Sequence, residues 1–273
     1  MTGKVLAIAS ALLAIALGGC VLDRDGTADD LARPVRLTRR IVPTGDFALT
    51  AFVRIDAPGR PVTVYIEGDG LGYREHDLPS LDPTPARPVG LALAAADRSA
   101  NVVYLARPCQ YTPSAMNPRC DVPYWTLKRF APEIITAISR AIDQVVGRGA
   151  RIDLVGYSGG GAVAVLVAAR RQDVASIRTV AGNLDTEEVN RTHKVDPMPA
   201  SLNPIEFAAQ VASIPQIHFS GGADETIPTA IAERFRHAAG GTCVKTVLVP
   251  EATHTSGWPE RWPGLLGMVP GCG

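Results

Sequence analysis

The sequence predicts an α/β fold in which a mostly parallel central sheet is covered by helices on both faces. Two observations carry this. Short runs rich in Val, Ile, Leu and Tyr recur along the chain, and most are separated by alanine-rich or amphipathic stretches long enough to be helices. Two of the runs, "PVTVYIEG" (61–68) and "NVVYLA" (101–106), are apolar without alternation, the pattern of strands buried on both faces. The length of 273 residues, with no internal repeat, allows one sizeable core and gives little reason for two domains.

The elements follow in order. Residues 1–19, "MTGKVLAIASALLAIALGG", have one cation, Lys4, then an apolar run from Val5 to Leu17 and two small residues before Cys20. That is the layout of a secretory leader, and the run is short for a membrane span. The segment "LGGC" (17–20) resembles the lipobox of bacterial lipoproteins, whose cysteine becomes the lipidated first residue. The resemblance implies an envelope protein held to a membrane through Cys20, and Val21 rather than Asp after it points to the outer membrane, facing the periplasm. Residues 20–45 read as a tether, because Val21 to Arg40 is polar and lacks apolar periodicity. A single domain is then expected over 46–273. Lys4 is the only charged side chain of the leader, so of 27 basic and 27 acidic residues the mature chain keeps one acid in excess. Nothing in that balance invites nucleic acid or anionic lipid.

"FALTAFVRI" (47–55) alternates as a half-exposed strand would, and the two buried strands follow, with a helix over "PVGLALAAADR" (88–98) between them. A long helical stretch, 122–149, is broken near Pro132 and stopped by Gly147 or Gly149. "RIDLVG", "SIRTVAG", "IPQIHFSGG" and "VKTVLVP" supply four more strands. Helices lie between most of them, including "PTAIAERFRHAAGG" with Pro228 in its first turn.

Four cysteines remain beyond Cys20, an even count that suggests disulfides in an exported chain. Cys109 and Cys120 bracket a short loop with two prolines, which makes them the favoured pair, and Cys243 with Cys272 follows by elimination. No Cys-x-x-Cys or His pair sits at ligand spacing, so neither a metal nor another cofactor is expected.

The chemistry concentrates at "LVGYSGGGAV" (154–163), where Gly156, Ser158 and Gly160 form Gly-x-Ser-x-Gly between a strand and an alanine-rich helix running from about Ala162 to Arg171. Strand, sharp turn and helix are what a nucleophile elbow requires. Here the chain resembles the α/β-hydrolase family, over nearly everything from Phe47 to the end. The resemblance implies the order Ser, acid, His. His76 precedes Ser158 and falls out of that order. Of His193, His218, His237 and His254, which follow Ser158, His254 in the loop after the last strand is the expected base, and His218 and His237 read as structural or solvated. Asp224 in "SGGADETIP" fits the acid, with Asp185 in "VAGNLDTEE" as its competitor and Glu225 as a solvated neighbour.

The oxyanion donors implied are the backbone N–H groups of Gly159 and of Asp69, or alternatively Gly70, in "YIEGDGLGY" (65–73). The family often has His-Gly where this chain has Glu67 and Gly68. That departure puts the carboxylates of Glu67 and Asp69 near a site where negative charge develops, which is harmful unless both are turned away or hydrogen-bonded.

The expected function is a serine hydrolase cleaving an ester or related acyl bond of a small-molecule substrate. Peptidase, thioesterase and acyl transfer would use the same residues. A reading from another class is an envelope lipoprotein that binds a ligand or partner on this scaffold without turnover. The segment between "SIRTVAG" and Ile214, where the resemblance implies a lid, is only about 30 residues, a short cap for enclosing a long acyl chain. The loop holding Tyr111, with Tyr124 and Trp125 just beyond, follows a strand end and is expected to flank the pocket, its aromatics either gripping a substrate or packing the loop.

Overall fold

The computed structural model describes residues 23–75 and 78–273. Helix α1 (Arg24–Ala32) leads into strands β1 (Thr38–Pro43), β2 (Ala48–Ile55) and β3 (Val62–Ile66). A small ribbon, β4 (Tyr73–Glu75) and β5 (Leu78–Pro79), precedes α2 (Val89–Ala96), β6 (Asn101–Leu105) and α3 (Pro132–Val146). Then come β7 (Ile152–Tyr157), α4 (Gly159–Ala168), β8 (Val174–Val180) and α5 (Thr186–His193). The chain ends with β9 (Gln216–Gly221), α6 (Ala230–Ala239), β10 (Val244–Val249) and α7 (Trp262–Leu266).

Eight strands form the central sheet in the order β1-β2-β6-β3-β7-β8-β9-β10. β6, β3, β7, β8, β9 and β10 run parallel, and β2 pairs antiparallel with both β1 and β6. This is the predicted mostly parallel sheet. Alternate residues feed two cores, as the two-residue period of a strand requires. Val64, Ile66, Leu154 and Ile177 meet α3, α4 and α6 on one face. Tyr65, Tyr104, Val155 and Phe219 meet α1, α2 and α7 on the other. Helix α4 is buried on every side, which explains why its sequence is apolar without a polar stripe. The strand order reverses at β3, whose neighbours are β6 and β7. In such sheets the carboxyl ends of the strands at the reversal frame a crevice where ligands bind.

Three expectations are corrected. The tether reading of 20–45 fails from Asp23 onward, because α1 packs Ala28 and Ala32 into the core and β1 forms the sheet edge. The polarity that suggests a tether is internal pairing: Arg39 reaches Asp25 at 2.7 Å and Asp29 at 2.9 Å while lying over the Phe52 ring. For the same reason β2 is buried almost throughout, rather than half-exposed, since β1 flanks it and α1 covers Phe52. The long helical stretch breaks at Pro132 and stops at Gly147 as expected, but its first part is only a 3₁₀ turn at Val122–Trp125, and α3 begins at Pro132, where a missing N–H costs nothing.

Both disulfides form, Cys109–Cys120 across the proline loop and Cys243–Cys272 tying the carboxyl terminus to the start of β10. Cys20 and the leader lie outside the described residues, as does His76.

Candidate active site

β7 delivers Ser158 to the carboxyl edge of the sheet and α4 starts at the next residue. Ser158 has φ 52° and ψ −121°, a conformation that costs a non-glycine residue energy and persists only where its surroundings fix it. They do: Ser158 N–H donates to the Val180 carbonyl at 2.9 Å and its own carbonyl accepts from Asn183 N–H at 3.0 Å. The flanking glycines are required by close approach, since a Cβ at Gly156 would overlap the Gly160 carbonyl and one at Gly160 the Ile66 carbonyl. α4 therefore starts three residues earlier than the sequence suggests, because the turn and the first helical turn share the same glycines.

His254 and Asp224 converge on this turn. His254 Nε2 lies 3.0 Å from Ser158 Oγ, and Nδ1 lies 3.0 Å from Asp224 Oδ2. The loops after β9 and β10 are stitched together by Gly222 N–H donating to Val249 and Ala223 N–H donating to Ala252, at 2.9 and 3.0 Å. Asp224 Oδ1 is consumed locally, accepting from the N–H groups of Thr226 at 2.8 Å and Ile227 at 2.9 Å. That leaves Oδ2 to the imidazole. The His254 carbonyl accepts from the Tyr157 hydroxyl at 3.0 Å, and the two rings pack 5.5 Å apart. Burial, then the Glu67 and Asp224 charges, push the Tyr157 phenol well up, so it remains a donor.

Asp69 and Gly159, the sequence-assigned oxyanion donors, face each other across this turn: the Asp69 carboxylate lies where a Gly159 side chain would begin. Neither backbone N–H has an acceptor among the described residues, whereas Gly68 N–H donates to Glu67 Oε1 at 2.9 Å. Both carboxylates are accommodated. Glu67, 1% exposed, also accepts from Gly90 and Leu91 N–H in the first turn of α2 and from the Tyr104 hydroxyl, at 3.1, 3.2 and 3.1 Å. Burial raises its carboxyl above the usual range, and these donors oppose the rise. Asp69 is held by Arg107 Nη1 at 3.0 Å and Arg129 Nε at 3.2 Å, and Arg107 in turn donates to the Arg129 carbonyl. Neither arginine stands out in the sequence, because the pairs span loops far apart in the chain.

The competing residues are occupied elsewhere. Asp185 caps α5, accepting from Glu188 N–H at 3.2 Å, and its other oxygen meets Arg234 at 2.9 Å. Glu225 is exposed and His237 sits beside Arg236. His193 contacts the Thr226 carbonyl at 2.7 Å. His218 of β9 is fully buried against Phe235 of α6, bonded to Thr179 through Nδ1 at 2.9 Å, and desolvation pulls its pKa down to about 3. The aromatics of the cysteine loop pack it: the Tyr111 hydroxyl donates to Pro85, Trp125 Nε1 donates to Ser80, and Tyr124 stands edge-on to Phe47 at 5.1 Å. Cavities of about 610 Å³ beside that loop and about 670 Å³ within the cap are not lined by Ser158, Asp224 or His254.

The sheet order, the elbow and the loops that meet it define an α/β-hydrolase fold. Solved structures agree at low sequence identity. A candidate lipase from Acinetobacter baumannii superposes with a TM-score of 0.63 at 13% identity, over 90% of this chain and 93% of that one. A Pyrococcus furiosus esterase gives 0.58 at 13% identity, over 86% and 91%. A Pyrococcus horikoshii acylaminoacyl peptidase gives 0.61 at 14% identity, over 84% of this chain and 40% of that one. No family model and no curated protein matches the sequence.

Proposed function

We propose that the chain is a serine hydrolase that cleaves an ester or related acyl bond through an acyl-enzyme, anchored in the bacterial envelope through Cys20. One observation carries the activity: a single imidazole, His254, bridges Ser158 Oγ and Asp224 Oδ2 at 3.0 Å on each side. With the Nδ1 proton committed to the carboxylate, Nε2 is free to accept the serine proton as Oγ adds to the substrate carbonyl. The oxyanion so formed lies against the N–H groups of Asp69 and Gly159, which are fixed in place before reaction. Collapse expels the leaving group, which takes the proton from Nε2. Water, deprotonated by the same nitrogen, then releases the acid and regenerates Ser158.

Two features support the reading beyond the three residues. The strained Ser158 backbone is held by hydrogen bonds on both sides, as a site under functional constraint requires. The neighbours in structure include proteins named as an esterase and an acylaminoacyl peptidase, so ester and amide are the bonds to compare first. A short cap favours short acyl chains.

The test is labelling by a fluorophosphonate probe with turnover of chromogenic esters and amides of graded acyl length. The wild-type protein labels rapidly, and folded Ser158→Ala neither labels nor turns over. A folded wild-type protein that stays unlabelled and inert on the whole panel leaves the binding-scaffold reading in its place. Incorporation of labelled fatty acid, lost in Cys20→Ser, tests the anchor separately.

A further inference from the structure

Four large apolar side chains are exposed on the β4–β5 ribbon, the residues after it and the neighbouring cysteine loop. Tyr73, Leu78 and Leu81 lie on or just after the β4–β5 ribbon, 38%, 51% and 86% exposed, and Met116 of the cysteine loop is 50% exposed. The ribbon pairs Tyr73 with Pro79 and Glu75 with Leu78, and Leu81 and Met116 line one cavity with Asp25 of α1. The face is firmly built. Ser80 N–H donates to Gly72 at 2.9 Å, Leu71 N–H to Pro83 at 3.0 Å, and Trp125 Nε1 to Ser80 at 3.0 Å. Exposed apolar groups on so braced a surface call for a partner.

The amino-terminal segment says which partner. Arg24 is fastened to the residues after Leu81, donating to the Asp82 carbonyl at 3.2 Å, to its carboxylate at 3.1 Å and to the Thr84 carbonyl at 2.8 Å. Asp23 caps α1, so the described residues begin beside the patch. Cys20 precedes Asp23 by three residues, a reach of no more than about 11 Å when fully extended. Whatever holds Cys20 is thereby brought to the same face. Around Arg24 the charges are paired, Asp25 and Asp29 with Arg39, Asp30 with Arg33, and Asp82 with Arg24, and the exposed Arg74 and Glu75 of the ribbon are opposite in sign, so apolar contact rather than net charge is what the surface offers.

We propose that the face carrying Leu78, Leu81, Tyr73 and Met116 rests on a lipid bilayer surface, seating the domain in one orientation beside its anchor. The proposal rests on the reading that Cys20 carries the lipid, and its test has two arms. In the first, the acylated chain is reconstituted in phosphatidylcholine vesicles containing doxyl-labelled lipid. An environment-sensitive dye is attached, without reductant, at Leu81→Cys or at Leu248→Cys on the far edge strand, which is 58% exposed. The dye at position 81 is expected to lose at least half its fluorescence and the dye at 248 less than a tenth. Equal quenching at the two positions, or none at 81, overturns the proposal.

The second arm uses the chain from Val21 onward, which has no lipid, sedimented with phosphatidylcholine vesicles. Leu78→Asp with Leu81→Asp is expected to lower the bound fraction at least fivefold while probe labelling of Ser158 persists. A bound fraction unchanged by those substitutions, or absent in the parent chain, overturns the proposal. Mass measurement of the amino-terminal peptide separates the two readings. If Cys20 carries no acyl group the anchor is lost, and the second arm alone then decides the docking face.

Discussion

Two aspartates follow neighbouring strands, and only one of them meets the imidazole of His254. Asp185 comes after β8 and Asp224 after β9; both are nearly buried, and each spends one oxygen on backbone N–H groups of its own turn. They differ in what meets the second oxygen: His254 Nδ1 at 3.0 Å for Asp224, Arg234 at 2.9 Å for Asp185. A carboxylate at a strand end is thus common property of the fold, and the loop after β10 decides which one orients an imidazole. The lesson is that turn chemistry alone does not mark an acid; the unspent lone pairs do.

The sharpest way to break this contrast is Asp224→Asn. The side chain keeps its shape and its two backbone donors, but its amide favours the wrong His254 tautomer. In the serine-protease triad that change lowers turnover by about 10⁴, and a similar loss is expected here. Turnover of an activated ester by the folded variant checks it, and a loss under about tenfold, worth about 1.4 kcal/mol, removes Asp224 from the relay.

A second test asks whether the strands beneath the two loops share in the difference. Thr179 of β8 and His218 of β9 are register partners joined by a 2.9 Å side-chain hydrogen bond. Burial holds the folded His218 pKa at about 3, whereas an unfolded histidine titrates near about 6.5. Between those values the unfolded chain binds a proton that the native chain does not. Stability contributed by the neutral ring is therefore present above about 6.5 and is lost as pH falls below it. From pH 7 to pH 5 the loss is about 2 kcal/mol. His218→Gln is expected to remove that increment from denaturant unfolding measured at the two pH values, while ester turnover at pH 7 stays unchanged. An identical pH dependence in the variant assigns the acid sensitivity elsewhere.

Much of this was readable in the sequence because the signals are local. β-branched runs marked the buried strands, Gly-x-Ser-x-Gly marked the elbow, and chain order left His254 and two aspartates. What stayed hidden depends on partners distant in the chain. Glu67 is satisfied by groups 23, 24 and 37 residues away, and Asp69 by Arg107, 38 residues away. The segment carrying α1 and β1 read as a tether because its few apolar contacts, Ala28 and Ala32, form no visible stripe, and its charges are matched only in the fold, Arg39 with Asp25 and Asp29, 14 and 10 residues back. Composition records that such charges exist; only the fold decides which of them meet.

The smallest expected effect belongs to Asp185→Asn, and it completes the contrast. The amide retains an oxygen to accept Glu188 N–H, so the cap of α5 survives. What is lost is the ion pair with Arg234, whose side chain is 51% exposed, and pairs that solvent reaches contribute at most about 1 kcal/mol. Asp185 also receives a 3.3 Å hydrogen bond from Asn203, which helps hold the cap segment, so some loosening there is expected without any change at His254. Turnover should therefore fall less than about tenfold, under about 1.4 kcal/mol of barrier. Steady-state kinetics on the ester used for Asp224→Asn makes the comparison direct. If Asp185→Asn is the crippled protein and Asp224→Asn is not, the acid belongs after β8, and the 3.0 Å contact at His254 is a packing contact rather than a relay.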